Sequence, residues 1–120
     1  MALTLPEIEE AVLRAGFVRN SSTSKVIEFK SKRSGRRLYV YQKQGLPDHA
    51  DVMVHPEMDP ASLFAIDGVR PNKRVEFRFG SNMAEFPKRL NKGAAPEHFG
   101  RALYVLSPAA LSSLCRVYDN

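Results

Sequence analysis

Residues 25–43 read KVIEFKSKRSGRRLYVYQK. Two short runs of β-branched and aromatic residues, VIEF and LYVY, flank Ser34-Gly35, a dipeptide with the chemistry of a tight turn. The pattern predicts an antiparallel hairpin. In its second arm Leu38 and Val40 point to one side and Tyr39 and Tyr41 to the other, since side chains alternate along a strand. One of these faces must meet helices. Charge also gathers here: the segment holds seven Lys or Arg and the single acid Glu28.

The same chemistry continues on both sides. Downstream, the Gly45-Leu46-Pro47 turn signal precedes ADVMVHP, residues 50–56, which predicts a third strand of a meander. Upstream, LTLPEIEEAVLRAGF carries a helix start in Thr4 with Glu7 three residues later, and a helix stop in Gly16. A helix is expected over Leu5 to Ala15, with Leu5, Ile8, Val12 and Ala15 on one stripe. The polar run RNSSTS reads as a loop. EMDPASLFAIDGVRPN reads as a long connection with a helical turn near Ala61 to Phe64.

In KRVEFRFG, residues 73–80, Val75, Phe77 and Phe79 alternate with Arg74, Glu76 and Arg78, which predicts a strand with one core face and one wet face. RALYV predicts a short strand. Ser107 and Pro108 then supply an N-cap and a first helical position for a final helix striped by Leu111, Leu114, Cys115 and Tyr118. The expected fold is a single α+β domain over residues 1–120, with an antiparallel sheet of four to five strands between an N-terminal and a C-terminal helix.

Composition bounds the class. The chain has 120 residues, 43% apolar and 26% charged, enough to build a core. Cys115 is the only cysteine, so no internal disulfide forms, and MALTLPEIEE lacks the features of an export signal. A cytoplasmic location is expected. No apolar run approaches the ~20 residues that span a bilayer, so no membrane partner is expected. The formal charge is +5 and the isoelectric point about 9.6, a bias toward nucleic acid or an acidic protein surface. Acids concentrate in PEIEEA and PDHADVMVHPEMDP, which predicts a polarised molecule.

Three histidines are candidates for acid–base work. His49 and His55 lie among Asp48, Asp51, Glu57 and Asp59, but without the spacing or thiolates of a metal site, so neither metal nor cofactor is expected. His98 has Lys88, Arg89, Lys92 and Arg101 near it in sequence, the residue types of an RNA-cleaving site, yet no second acid or base at a defined offset. Cys115 on an apolar stripe reads as a core residue. No nucleophile elbow or glycine-rich phosphate loop is present, which removes kinase, hydrolase and nucleotide-binding readings. The hairpin is more substantial. Lys30, Lys32, Arg33, Arg36 and Arg37 on a projecting edge, followed by Tyr39 and Tyr41, suit phosphate contact and base stacking. The same charges also keep a sheet edge from aggregating.

The order of EEAVLRAGF, YVY, VHP and the tail EFPKRLNKGAAPEHFGRALYVLSPAALSSL resembles that of a family of small uncharacterised bacterial cytosolic proteins. The matching positions are Gly16 and Phe17, Tyr39 and Val40, His55 and Pro56, Phe86 and Pro87, His98 and Gly100, then Ser107, Ala110 and Leu111. They are short and spaced over most of the chain. The resemblance implies an accessory protein with no catalytic residues to carry over, of a kind similar to immunity proteins that bind delivered toxins. The charge of +5 departs from the commonest immunity pattern, which is acidic. The resemblance also implies a loop of fixed shape in the tail, restrained by Pro87 and Pro96, turned at Gly93 and Gly100 and anchored by Phe86 and Phe99. His98 is then an organiser of that loop.

The expectation is therefore a non-enzymatic protein-binding module, an immunity protein favoured. Its contact residues are expected among Asp48, Asp51, Glu57 and Asp59, among Arg33, Arg36, Arg37, Tyr39 and Tyr41 of the hairpin, and at His98. The alternatives are a small RNA- or DNA-binding protein using residues 25–43, and a ribonuclease centred on His98.

Overall fold

The computed structural model describes residues 4–23, 26–41, 49–80, 83, 86–90 and 95–119. Helix α1 (Leu5–Arg14) opens on the expected capping box: the Thr4 hydroxyl accepts from the Glu7 N–H and the Glu7 carboxylate accepts from the Thr4 N–H. Both orphan donors are thereby satisfied. Gly16, at φ 91, turns the chain out of the helix, a conformation that favours glycine.

Strand β1 (Phe17–Ser22) follows directly, so most of the segment read as a loop is an edge strand. Only Phe17 in it is buried, and the pairing with β2 (Val26–Ser31) shifts register between Arg19 and Ser21. An edge strand with one buried residue carries no alternation to detect.

The hairpin forms as predicted, β2 pairing with β3 (Arg37–Tyr41) from Val26↔Tyr41 to Lys30↔Arg37. Strand β4 (Ala50–Val54) extends the meander, and the turn expected at residues 45–47 lies outside the described residues. After α2 (Pro60–Phe64), capped by Asp59, come β5 (Val69–Pro71), β6 (Phe77–Phe79), β7 (Lys88–Leu90), β8 (Pro96–Val105) and α3 (Pro108–Tyr118). Every strand pairing is antiparallel, in the order β1-β2-β3-β4-β8-β5, with β6 and β7 also on β8.

The sheet thus has eight strands among the described residues, where four to five were expected. The cause is β8. Pro96 and Gly100 read as breakers, yet Pro96 stands at the first position, where proline is tolerated, and Gly100 lies under the Phe86 ring. The resulting ten-residue strand serves several short neighbours. Its even-numbered residues bond toward β5 and β6, as in Ala102 N–H to Glu76 O and Gly80 N–H to His98 O, and Leu106, just past its end, donates to Gly68 O. The opposite edge takes β4 and then β7, marked by Phe99 N–H to Pro87 O.

Two apolar clusters occupy the two faces of the sheet. On one, Ile8 and Val12 of α1 and Leu111, Leu114, Cys115 and Tyr118 of α3 pack on Ile27, Phe29, Leu38, Val40, Val52, Leu103 and Val105. On the other, Val26, Tyr39 and Met53 are covered by Met83 and Phe86. The alternation in the hairpin sorted Leu38 and Val40 from Tyr39 correctly; both faces are buried there. For β6 the expectation fails. Val75 is 39% exposed and outside the strand, while Phe77 and Phe79 stay half-buried away from the helices. Nor is the opposite side wet, because Arg78 lies against buried Asp51. No helix among the described residues is long and apolar enough to cross a membrane.

Candidate functional site

The basic hairpin turns inward onto the end of α3. Arg33 Nη2 donates to the Asp119 carbonyl at 2.8 Å and Arg36 Nη1 to the Tyr118 carbonyl at 2.6 Å. These carbonyls are the negative end of the helix dipole, where cations are favoured. Ser31 and Ser34 donate their hydroxyls to the Asp119 carboxylate. Burial alone would raise the Asp119 pKa; the two serine hydrogen bonds and the charges of Arg33 and Arg36 outweigh it and hold the carboxyl below its ordinary value. Arg37 stands 3.9 Å from Glu28, a buried carboxylate that also accepts from the Tyr39 hydroxyl at 2.6 Å. Burial of Tyr39 and its bond to Glu28 push the Tyr39 phenol up. Three of the expected contact residues thus brace the fold, and Tyr39 is fully buried.

The acidic segment is not one surface either. Asp48 lies outside the described residues. Asp51 is 1% exposed, with Arg78 Nη2 at 3.2 Å and His49 Nε2 at 3.5 Å. The His49 ring lies on Tyr104, centroids 4.0 Å apart, and Arg78 lies 4.9 Å from the Tyr41 ring. Asp59 caps α2 through the Ala61 N–H, while Glu57 is exposed. Among the described residues no three of His, Cys, Asp and Glu gather as metal ligands would.

His98 lies beside the turn that covers the second face. A carbonyl oxygen only accepts, so the 2.7 Å contact places a proton on His98 Nδ1, donated to the Phe86 carbonyl. Phe86 in turn meets Tyr39 edge-on at 5.0 Å and His55 at 5.5 Å. Phe86 and Phe99 are both buried, but His98, Phe99 and Gly100 lie within strand β8, so the loop expected here, with a turn at Gly100, is not what forms. Gly93 lies outside the described residues.

What the sequence reading missed stands where β6, β7 and β8 extend beyond the helices. Phe99 packs against Phe77 and Phe79 with centroids 5.3 and 5.6 Å away. The Arg89 guanidinium lies over all three rings, 4.7 Å from Phe77, 5.0 Å from Phe99 and 5.8 Å from Phe79. Arg101 sits 4.8 Å from Phe77 and 3.4 Å from Glu76. Among the described residues the Arg89 guanidinium has no hydrogen bond or ion pair, even with Glu97, its register partner across the ladder. A cation over aromatic faces is attracted by the ring quadrupole, which orients the guanidinium while leaving its N–H groups to other acceptors. Arg89 and Arg101 were noticed only as neighbours of His98. The available signal was the strict alternation of Phe77 and Phe79 with charged residues, taken as a core face.

Compared with known proteins, the chain matches no family model and no curated sequence.

Proposed function

We propose that the protein is a binding module that acts on another protein without making or breaking bonds, as an immunity protein covers the working surface of a bacterial toxin, and that it does so in the cytoplasm. The observation that carries this is the cluster of Phe77, Phe79 and Phe99 under Arg89, half-open on a part of the sheet that the helices do not cover. Aromatic rings and arginine are the residue types that dominate the centres of protein interfaces. A net charge of +5 favours an acidic counter-surface and speeds encounter with it.

The nucleic-acid reading of residues 25–43 has less support, because Arg33, Arg36 and Arg37 are held by α3 and Glu28. Binding to nucleic acid that weakens steeply with salt and is lost on charge reversal at Arg36 and Arg37 would favour it.

The test is co-expression with the toxin encoded in the adjoining reading frame. The protein should be harmless alone, restore growth and co-purify in fixed ratio. Cleavage of RNA by the purified protein, lost in His98→Ala, would refute the proposal in favour of a ribonuclease.

A further inference from the structure

Resting on the reading of a protein-binding module, we infer that its partner presents an extended acidic segment, which joins the sheet as an added strand along β6 and places a carboxylate on Arg89. Among the described residues strand β6 pairs only with β8, through its even-numbered residues. The N–H and C=O groups of Phe77 and Phe79 therefore point away from β8 and meet no strand among the described residues. An open edge of this kind is a template for strand addition, where main-chain hydrogen bonds align the incoming segment and alternate side chains select it.

Three residues of edge give few hydrogen bonds, so selection must come from side chains. A strand beside β6 puts every second side chain next to Phe77 and Phe79, within reach of the guanidinium above them. Arg89 offers a planar fork suited to a carboxylate, already oriented by three rings, and it has no carboxylate of its own. The surroundings agree in sign. Lys73, Arg74 and Arg101 gather with Glu76 beside the patch, where Glu76 is already committed to Arg101, and Glu97 is the other acid, in register with Arg89. An incoming carboxylate meets attraction here, whereas an incoming lysine meets repulsion.

The experiment uses a synthetic eight-residue peptide alternating Glu and Val, end-capped, against its Gln–Val counterpart, titrated into the full chain with amide chemical shifts as readout. Binding of the Glu peptide is expected, with the Phe77 and Phe79 amides shifted and protected from exchange. The Gln peptide, or Arg89→Gln with the Glu peptide, should bind about ten- to a hundredfold more weakly, as loss of a charged hydrogen bond implies. Phe79→Pro is the second variant: it removes an outward N–H while leaving the bonds to β8, so it should weaken both peptides. Equal affinity for the two peptides, insensitivity to Arg89→Gln, or preference for a single-stranded RNA oligonucleotide that Arg89→Gln abolishes would overturn the inference. Growth protection that survives Arg89→Gln and Phe79→Pro would overturn it while leaving the binding module standing; peptide binding without protection would do the reverse.

Discussion

Gly100→Ala tests how the second face is closed. A Cβ at residue 100 would stand 2.9 Å from both Cδ2 and Cε2 of Phe86 and 3.2 Å from Met53 Cβ. Ordinary carbon contacts lie at about 3.5–4.0 Å, so the Phe86 ring must withdraw by more than half an ångström. It has little freedom to do so. Tyr39 and His55 hold the ring edge-on, the Met83 carbonyl accepts from the Phe86 N–H at 3.0 Å, and His98 holds the Phe86 carbonyl. Overpacking of this kind costs about 1–3 kcal/mol. Phe86→Ala alone, at a residue 4% exposed, should cost about 3–5 kcal/mol. In the Phe86→Ala background the ring is gone, and Gly100→Ala becomes neutral or stabilising by up to about 1 kcal/mol, since alanine is preferred to glycine within a strand. The two changes should therefore be coupled by at least about 1 kcal/mol, measured as a double-mutant cycle in urea with an unchanged slope. Equal effects of Gly100→Ala in both backgrounds would show that Phe86 does not rest on Gly100.

Three further outcomes follow from the buried groups. The Tyr118 hydroxyl donates to the Arg37 carbonyl at 2.5 Å and accepts from the His55 N–H at 2.9 Å, so Tyr118→Phe should cost about 1–3 kcal/mol in urea unfolding; an unchanged midpoint would contradict that bridge. Asp119 has a lowered pKa in the folded state, so its stabilisation is complete above its ordinary value and is lost as pH falls through the folded one. Asp119→Asn should then be less stable than the parent at neutral pH, with the gap closing below about pH 4, and a gap constant with pH would refute the assignment. Burial pushes the Cys115 thiol up to about 12, so a thiol reagent at pH 8 should label it only as fast as the protein opens; labelling of the native chain at the rate of a free thiol would place Cys115 elsewhere.

Legibility followed the range of the interaction. Thr4 with Glu7, Asp59 before Pro60 and Ser107 before Pro108 cap their helices within a few residues, and of these the signals at Thr4 and Ser107 were read directly. The alternation in LYVY reported which side chains share a face, because both faces there are covered. Strands β1 and β7 were not legible, since SerSer and LysArgLeu at exposed edges carry no apolar period. Asp51 was expected at a contact surface, because its partner Arg78 is 27 residues away and the pair is not visible locally. Arg33 looked free for the same reason, as its acceptor on α3 is 86 residues distant. The Phe77, Phe79 and Phe99 cluster needs β6 and β8 side by side, with Arg89 from β7, and exists only once the chain has folded.

The central position of β8 bears on how the protein is made. While a nascent chain emerges from the ribosome, β1 to β4 form a meander whose last strand has one side unpaired, and β5, β6 and β7 have nothing to pair with until residues 96–105 arrive. Contacts of such long sequence separation form slowly. For the interval between synthesis of β4 and synthesis of β8, the growing polypeptide displays the sticky edge AlaAspValMetVal, and that is the period in which a chaperone has work to do.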